Sequence, residues 1–392
     1  MKKRDINSTD CVHSGTEPDS ATFSLNPPVV HSAPFSFPNT ASLVAFAEGR
    51  SDRTQAEYGR MSNPTVKGVE KRLAALEGAE QAQLFGSGMS AVTTMLLALL
   101  GSGDHILLTS DSYRRTRDFG VFLAKFGIEM TVVAPTADAI EQGIQTNTKL
   151  VFTEIPTNPY LRCVDLEKVV AITRKPGILV VADSTFATPI NLRPLDLGVD
   201  LVIHSATKYF GGHNDLIAGV MAGPERLIQP ISELLMTLGG ICDPNTAFLL
   251  GRGLKTLSLR VARQNDSGQR VAEFLEGHPR IEKVFYPGLP SHPDHGTAER
   301  LMKGFGGVVT FLVDGDFDAT ARFIDRLEIP RIAPSLGGVE SLIEQVAIMG
   351  FWNLPREERE SLGIPDNLVR IALGIEEPED LIADLTQALS AS

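Results

Sequence analysis

The sequence predicts an α/β fold, in which helices flank a mainly parallel sheet, followed by a smaller C-terminal α+β domain. Three features of the 392 residues support this prediction. Between residues 61 and 260, short apolar runs alternate with stretches of helical periodicity, which is typical of a parallel sheet covered on both faces. After about residue 260 the alternation stops, and before residue 61 prolines interrupt any long element. We therefore predict an N-terminal arm (1–60), an α/β domain (61–260) and a C-terminal α+β domain (261–392).

The central region begins with helical patterns and then alternates between strands and helices. One pattern, Val66–Leu76, ends at Gly78, and glycine commonly closes a helix because it adopts positive φ easily. A second helical run, Val92–Leu100, follows a glycine-containing turn. The remaining predictions are a helix at Phe119–Phe126 and strands at His105–Thr109, Met130–Val133, Leu150–Ile155, Leu179–Ala182, Leu201–Ile203 and Ile217–Met221.

The two ends of the chain differ from this centre. In the arm, prolines recur at short intervals, and such a segment usually needs another surface on which to lie. The C-terminal region mixes helices and strands without the long parallel repeat. We predict helices at Val261–Leu275, Phe317–Leu327 and Pro378–Ala391, and strands at Gly304–Val313 and Leu368–Ala372.

Composition excludes several classes of partner. The 36 basic and 48 acidic residues give a formal net charge of −12, which argues against nucleic acid and anionic membranes. The three cysteines lack the spacing of a disulfide framework or a zinc site, so we expect no metal and a reducing cytoplasm. Met1–Asp5 is too polar for a secretory signal. The longest apolar stretch, Met95–Leu100, is far too short to span a membrane.

Lys208 is the first candidate for chemistry, because it follows the apolar strand Leu201–Ile203 and precedes two glycines. Burial lowers the pKa of a lysine amine, and a neutral amine can hold an aldehyde as a Schiff base. The hydroxyls of Ser205 and Thr207 could bind a phosphate. An aldehyde and a phosphate on one small molecule describe pyridoxal phosphate. The alternative is a surface lysine that follows an edge strand.

Asp183 ends a second apolar run, Ile178–Ala182. A continuous apolar run is typical of a strand buried on both faces, and ligands of such sheets bind beyond the carboxyl ends of the strands. A carboxylate there could keep a pyridine nitrogen protonated, so that the ring accepts electrons. Alternatively, Asp183 only caps the next turn. Because Lys208 and Asp183 end neighbouring strands, we favour a cofactor site.

Further candidates lie near predicted helix starts and strand ends. The turn Gly86-Ser87-Gly88-Met89 exposes N–H groups at a helix N-terminus, which favours an anion. Arg60, two residues after Tyr58, could bind phosphate through its planar guanidinium. Tyr113 could stack on a flat ring, and Asn158 could hydrogen-bond the phenolic oxygen of the cofactor. Surface or packing roles are the alternatives.

Two later segments could bind a substrate. Ala333–Gly338 is predicted to be a tight loop with free backbone groups. Arg370 lies inside the apolar strand Leu368–Ala372, where a guanidinium is costly unless it meets an anion. That anion is either the α-carboxylate of an amino-acid substrate or a glutamate of the protein.

Taken in this order, the motifs resemble the cysteine/methionine-metabolism family of fold-type-I pyridoxal-phosphate enzymes. The resemblance covers residues 10–390 and implies a seven-stranded type of sheet, pyridoxal phosphate bound by residues 61–260, and a homotetramer made of two active-site dimers. The matching stretches are Tyr58-x-Arg60-x-x-Asn63-Pro64-Thr65, Ser87-Gly88-Met89, Pro156-Thr157-Asn158-Pro159, Asp183-x-Thr185-Phe186-Ala187, Ser205-Ala206-Thr207-Lys208-Tyr209-x-Gly211-Gly212-His213 and Ser335-Leu336-Gly337-Gly338.

The resemblance also implies roles for single residues. Lys208 is the Schiff-base lysine, Asp183 is the partner of the pyridinium nitrogen, and Tyr113 stacks on the ring and assists proton transfer. Ser335 and Arg370 orient the substrate carboxylate. The implied phosphate ligands are Gly88, Met89, Ser205 and Thr207, together with Tyr58 and Arg60 from the neighbouring subunit.

Three features favour γ-replacement, in which cysteine and an O-phospho-, O-succinyl- or O-acetylhomoserine ester give cystathionine. The segment Tyr113–Arg117 is cationic, and Arg115 could bind an anionic leaving group; alternatively, its arginines face solvent. Pro334 stands where many γ-lyases and bacterial γ-synthases of the family carry glutamate. Stretches that resemble the plant type of cystathionine γ-synthase are Gly212–Asp215, Tyr286–Pro293, Gly304–Val309 and Trp352–Arg359.

Other functions remain open at this point. A cystathionine or methionine γ-lyase and a homoserine-ester sulfhydrylase are the enzymatic alternatives, and a catalytically silent regulator could keep the same fold. Met61, Ser184 and Val346 depart from the family pattern without removing a catalytic group, which leaves room for a changed substrate. The choice among these reactions depends on the detailed shape of the pocket.

Overall fold

The computed structural model describes residues 6–15, 23–51 and 56–390. Part of the predicted arm, and the prediction that Met1–Asp5 is no secretory signal, therefore lie outside the described residues. Within the described part, the arm contains α1 (Ser8–His13) and α2 (Thr40–Ala47), and Pro34 forms an isolated bridge with Tyr58. Among the described residues, no helix has both the length and the apolar character required to cross a membrane.

The central part of the chain alternates between helices and strands, as predicted. In chain order its elements are α3 (Pro64–Glu77), β1 (Gln81–Phe85), α4 (Gly88–Leu99), β2 (His105–Thr109), α5 (Arg114–Leu123), β3 (Glu129–Val133), α6 (Ala137–Gly143), β4 (Thr148–Glu154), α7 (Leu166–Arg174), β5 (Leu179–Asp183), α8 (Thr188–Asn191), β6 (Leu201–His204), β7 (Gly219–Gly223), α9 (Glu225–Leu238) and α10 (Pro244–Leu254), with short 3₁₀ turns at Ala124–Phe126 and Pro194–Leu197.

Seven of these strands form one sheet in the order β1-β7-β6-β5-β4-β2-β3. Strands β2 to β6 run parallel, and β7 is antiparallel to both of its neighbours. The predicted mainly parallel, seven-stranded type of sheet is thus confirmed. Strand β1 escaped prediction because its two glutamines interrupt the apolar pattern; Gln83 is nevertheless buried, and its amide group bonds to Glu70 and Ser232.

The sheet is apolar on both faces because buried side chains alternate along each strand. In β6, Leu201 and Ile203 pack with residues of α4 and α9, whereas Val202 on the other face packs with residues of α3 and α10. Helices α6 and α7 cover the same face as Val202, but over strands β2, β4 and β5. This layered packing leaves the carboxyl ends of the parallel strands as the open edge.

The C-terminal part contains a smaller mixed sheet, β10-β11-β12-β9-β8, which confirms the predicted α+β region. Helix α11 contains residue 260, so it crosses the predicted domain boundary, and the three-part division stays a prediction. The elements are α11 (Leu257–Glu276), β8 (Ile281–Phe285), α12 (His295–Leu301), β9 (Val308–Val313), α13 (Phe317–Asp325), β10 (Arg331–Ile332), β11 (Leu342–Gln345), α14 (Val346–Met349), α15 (Arg356–Ser361), β12 (Leu368–Ala372) and α16 (Pro378–Ser390).

Candidate active site

A cavity of about 680 Å³ opens at the carboxyl ends of β4, β5 and β6, where the smaller sheet meets the larger one. Ligands of parallel sheets bind at this edge because the strand ends converge there. Every predicted site residue except Tyr58 and Arg60 lines this cavity. Those that line it are Gly88, Met89, Tyr113, Arg115, Asn158, Asp183, Ser205, Thr207, Lys208, Ser335 and Arg370.

Lys208 lies in the turn that follows β6, and its Nζ donates a hydrogen bond to the Ser335 hydroxyl at 2.7 Å. Burial lowers the pKa of this amine to about 8; the positive charge of Arg370 lowers it further, while the carboxylate of Glu344 opposes the shift. An amine with this pKa is partly neutral near neutral pH. This lowered pKa suits the predicted Schiff-base role of Lys208, and that role stays a prediction.

Asp183 ends β5, is half-buried, and lines the cavity. Its Oδ1 accepts hydrogen bonds from the backbone N–H of Thr185 at 3.0 Å and from the Thr185 hydroxyl at 2.5 Å. The same hydroxyl oxygen accepts the N–H of Ser205 at 2.8 Å. Burial raises the pKa of Asp183, and the two bonds from Thr185 counteract that rise. Asp183 thus caps the next turn and also lines the cavity, and its contact with a ring nitrogen stays a prediction.

The phosphate end of the cavity is built around the N-terminus of α4. Ser87 caps this helix by accepting the N–H of Ser90 at 3.0 Å. Ser205 lies so close that a Cβ on Gly88 would stand 3.1 Å from its Cβ, and a Cβ on Gly219 would collide with the carbonyl oxygen of Ser87 at 2.2 Å. Glycine is thus required at position 219 and favoured at position 88, and the hydroxyl residues Ser205 and Thr207 line the same cavity as the helix N-terminus.

The substrate end contains a glutamate that sequence reasoning missed. Glu344 of β11 is the cross-strand neighbour of Arg370 in β12, and the two side chains form a buried ion pair at 3.0 Å. Arg370 also donates to Asn158 Oδ1 at 2.9 Å and to the Ser335 carbonyl at 3.1 Å. Its Nε is buried without a hydrogen-bond partner among the described residues. Burial raises the pKa of Glu344, against the opposing effects of Arg370 and Lys208.

The loop that carries Ser335 packs directly on the turn of Lys208. Ser335 has φ = 102°, which is unfavourable for any residue with a side chain. A Cβ on Gly337 would stand 2.7 Å from the backbone nitrogen of Tyr209, so glycine is required there. The hydrogen bonds from Lys208 and Arg370 to Ser335 hold the strained loop in place.

The cationic segment contributes three arginines with different surroundings. Arg114 donates to the carbonyl of Gly350 and lies 5.6 Å from the centre of the Phe351 ring. Arg115 pairs with Asp118 at 3.1 Å, and its side chain is 66% exposed. Arg117 lines the cavity with a buried Nε that has no hydrogen-bond partner among the described residues. Arg115 therefore lines the cavity and also faces solvent, and its contact with a leaving group stays a prediction.

A second missed acid, Glu154, ends β4 and lies beside Asp183 in the parallel register. Its carboxyl accepts the backbone N–H of Tyr113, which opens α5. Burial raises the pKa of Glu154 well above its usual range, and the charge of Asp183 raises it further. The signal that identified Asp183, an acid at the end of an apolar strand, would also have identified Glu154.

Tyr58 and Arg60 lie away from this cavity. The Tyr58 side chain is 45% exposed, and the Arg60 guanidinium lies 5.7 Å from its ring centre and donates to the carbonyl of Met236. Their predicted contact with a neighbouring subunit's cofactor stays a prediction. No cluster of three or more potential metal ligands occurs in the ranges that the structure describes.

The lining residues fit pyridoxal phosphate. The cavity presents a helix N-terminus with two hydroxyls for a phosphate, a half-buried carboxylate for a ring nitrogen, and a lysine whose pKa is about 8 for an aldehyde. Tyr113, which is 50% exposed, lines the same cavity. The described residues therefore supply partners for the phosphate, the ring nitrogen and the aldehyde of this cofactor.

Comparisons with known proteins agree with this geometry. The family described as "Cys/Met metabolism PLP-dependent enzyme" matches residues 8–390. "Cystathionine gamma-synthase 1, chloroplastic" of Arabidopsis thaliana is 52% identical over 94% of this chain and 66% of its own length, so the chain spans slightly less than two thirds of that relative. "Probable cystathionine gamma-synthase 2" of the same plant is 48% identical over 95% of this chain and 90% of its own length.

More distant relatives and solved structures cover the chain almost completely. "Cystathionine gamma-lyase" of Bacillus subtilis is 38% identical, with 99% of both chains covered. The solved structure titled "Crystal structure of metB from Corynebacterium glutamicum" superposes with a TM-score of 0.91 at 38% identity, and covers 98% of this chain and 97% of that chain. The predicted fold is thus confirmed over nearly its whole length.

Proposed function

Because the chain belongs to the Cys/Met metabolism family of PLP-dependent enzymes, we propose that it catalyses γ-replacement, joining cysteine to an activated homoserine ester to give cystathionine. The observation that carries this choice is the arginine-rich start of α5, which lines the same cavity as Lys208. An anionic leaving group such as phosphate or succinate suits such a wall. The names of the relatives support the choice, because γ-synthases share 48–52% identity with this chain and γ-lyases 38–39%.

Proton transfer is the proposed task of Lys208. Pyridoxal phosphate supplies an aldehyde that takes up the substrate's amino group and a ring that accepts electrons from its Cα. The Lys208 amine, which is mostly neutral at pH values above its pKa of about 8, removes the Cα proton. It then removes a proton from Cβ, a step that γ-replacement also requires. The Ser335 hydroxyl, 2.7 Å away, accepts a hydrogen bond from the amine and keeps it on this side of the cavity.

Orientation of the substrate is the proposed task of Arg370. Its guanidinium is already fixed by Asn158, by the Ser335 carbonyl and by Glu344, yet its Nε has no hydrogen-bond partner among the described residues. A substrate carboxylate would satisfy that donor. A guanidinium held by three other groups loses little further entropy when it binds, so the α-carboxylate is positioned at small cost.

The leaving group would lie at the mouth of the cavity, in a more exposed environment than that of Arg370. Arg115 is exposed there and Arg117 is partly buried, so both can attract an anion that develops as the Cγ–O bond breaks. Pro334 also lines the cavity and has no charge, so it adds no carboxylate that would repel this anion.

One assay tests the proposal. The purified chain would be incubated with O-phospho-, O-succinyl- and O-acetylhomoserine, each crossed with cysteine, sulfide or no thiol, and the products separated. We expect cystathionine from cysteine and at least one anionic ester. Oxobutanoate and ammonia with no thioether would replace the synthase proposal with a γ-lyase, and product from sulfide but not from cysteine would identify a sulfhydrylase. If none of the esters reacted under any condition, the remaining alternative would be a catalytically silent regulator.

The proposed assembly is a homotetramer of two active-site dimers, in which Tyr58 and Arg60 complete the cofactor site of a neighbouring copy. Neither residue lines the cavity of its own chain, which supports this proposal. Light scattering coupled to size-exclusion chromatography would give the mass, and a monomer would contradict the proposal. The cytoplasmic location stays a prediction, because the names of two relatives place those proteins in the chloroplast.

A further inference from the structure

Glu154 is the buried acid of the cavity to which no step above gives a task. It ends β4 at the cavity edge, and it is only 5% exposed. Its carboxyl accepts the backbone N–H of Tyr113, the residue that precedes α5. Tyr113 makes no side-chain capping bond of its own, so Glu154, from a different strand, caps the positive end of this helix.

We propose that Glu154 is a positioning residue that fixes Tyr113, and with it the arginine-rich start of α5, beside the cofactor. The inference rests on the proposed function only through the place of Tyr113 next to the cofactor ring. The bond spans 41 residues of sequence and joins the end of β4 to the loop after β2. Because no side chain of the described loop caps this helix end, loss of the Glu154 carboxyl lets Tyr113 move, even though the neighbouring Arg114 stays bonded to the Gly350 carbonyl.

The charges around Glu154 determine its protonation state. Asp183 and Asp111 raise its pKa in addition to burial, whereas Arg117 and the hydrogen bond from Tyr113 lower it. Asp183 accepts two hydrogen bonds from Thr185, which stabilise its charged form. We therefore place the proton of the pair on Glu154. A protonated carboxyl keeps an oxygen that accepts the Tyr113 N–H, so the capping bond does not require a second buried charge.

The test compares variants of the full chain that have been freed of cofactor and titrated with pyridoxal phosphate. Glu154→Gln keeps the size of the side chain and an acceptor oxygen, whereas Glu154→Leu removes the acceptor and fills the space. The readouts are the dissociation constant of pyridoxal phosphate and the circular dichroism that the bound cofactor acquires from its surroundings. Neither readout depends on the formation of cystathionine. A failure of this proposal can therefore be distinguished from a failure of the proposed function.

We expect Glu154→Gln to stay within about threefold of the parent chain. We expect Glu154→Leu to weaken cofactor binding about tenfold and to halve the induced dichroism, because the partly buried Tyr113 N–H loses its acceptor. Tyr113→Ala should cause a similar loss. If Glu154 acts through Tyr113, the double variant Glu154→Leu/Tyr113→Ala should bind about as weakly as either single variant. Additive losses, or unchanged binding and dichroism in Glu154→Leu, would overturn the proposal.

Two further variants keep the test decisive. Asp118→Asn removes a surface carboxylate from the same helix, and we expect both readouts to be unchanged. If Glu154→Leu fails to fold, Glu154→Asp keeps the acid but withdraws it from Tyr113 by one methylene. That variant should show the reduced dichroism at an unchanged melting temperature, and a parent-like spectrum would overturn the proposal equally.

Discussion

The two sheets each place a pair of ionisable neighbours at the cavity, and the pairs have opposite character. In the seven-stranded sheet, Glu154 and Asp183 are adjacent carboxyls. In the five-stranded sheet, Glu344 and Arg370 form an ion pair at 3.0 Å. Like charges cannot both ionise when buried, so the first pair must hold a proton or meet a cation from outside. The second pair, Glu344 and Arg370, carries no net charge when both are ionised, and its guanidinium can bind an anion.

This difference indicates which ligand group suits each end of the cavity. The carboxyl pair suits the protonated ring nitrogen of the cofactor, and the ion pair suits a substrate carboxylate that joins Arg370 without displacing its other partners. A change at the carboxyl pair should therefore affect the cofactor chemistry itself. A change at the ion pair should chiefly affect substrate binding and stability.

The largest effect should come from Asp183→Asn. An amide cannot supply the negative charge that keeps a ring nitrogen protonated, so we expect kcat to fall by about a thousandfold with little change in fold. Steady-state kinetics of the purified variant measure this. The neighbouring Glu154→Gln is the matched control, because it removes an ionisable group from the same pair. If both variants lost activity equally, the two carboxyls would not differ in role.

Removal of one partner of the ion pair should cause the next largest effect. Arg370→Gln leaves Glu344 buried without its cation, which costs about 3–5 kcal/mol of stability, and should raise the KM for the homoserine ester about 100-fold. Thermal unfolding and kinetics measure the two effects. The double variant Arg370→Gln/Glu344→Gln should recover stability but not KM. Recovery of both would mean that Arg370 has only a structural role.

The pH dependence of these variants has a defined sign. Burial raises the pKa of Glu344 above its value in the unfolded chain, so the protonated form favours folding and stability falls as pH rises through the folded pKa. Without Arg370 this fall should deepen, because a positive neighbour no longer offsets burial. The double variant lacks the titrating group, and its melting temperature should be flatter over the same pH range.

The two pairs also differ in how far the sequence could reveal them. Asp183 ends an apolar strand and Lys208 lies in the turn after another, and local pattern alone predicts such strand ends at a parallel sheet. Glu154 carries the same signal and could have been found. Glu344 could not, since β11 has only four residues and its pairing with Arg370 depends on the antiparallel register of a sheet formed by distant segments.

From the arginine segment, Arg115 is the candidate that the sequence predicts to bind a leaving group. The sequence marks three cations after Tyr113, but it does not say which of them faces the cavity, because the answer depends on where α5 begins. The structure starts α5 at Arg114, five residues before the predicted helix, owing to the Glu154 cap on Tyr113. All three arginines line the cavity, but Arg114 is bonded to the Gly350 carbonyl, Arg115 is exposed, and Arg117 has a buried Nε.

A smaller effect should appear in the titration of Lys208, because the charges of Glu344 and Arg370 influence its pKa. With the cofactor removed, the rate at which pyridoxal phosphate is trapped on Lys208 by borohydride should rise with pH around the amine's pKa of about 8. Glu344→Gln should move this midpoint to lower pH, because the carboxylate favours the protonated amine. Peptide mapping identifies the modified lysine. A midpoint near that of ordinary lysines, or modification elsewhere, would contradict the proposed role of Lys208.

The smallest effect should follow Arg115→Ala. Because this side chain is 66% exposed and already pairs with Asp118, solvent screens its charge. We expect the KM for O-phospho- or O-succinylhomoserine to rise about threefold, an effect that fades in high salt, with no change for the uncharged acetyl ester. Arg117→Ala, at the more buried position, should show the larger loss with less salt dependence. Equal losses for charged and uncharged esters would remove leaving-group recognition from this segment and leave the ion pair of Arg370 as the sole selector of anionic substrate groups.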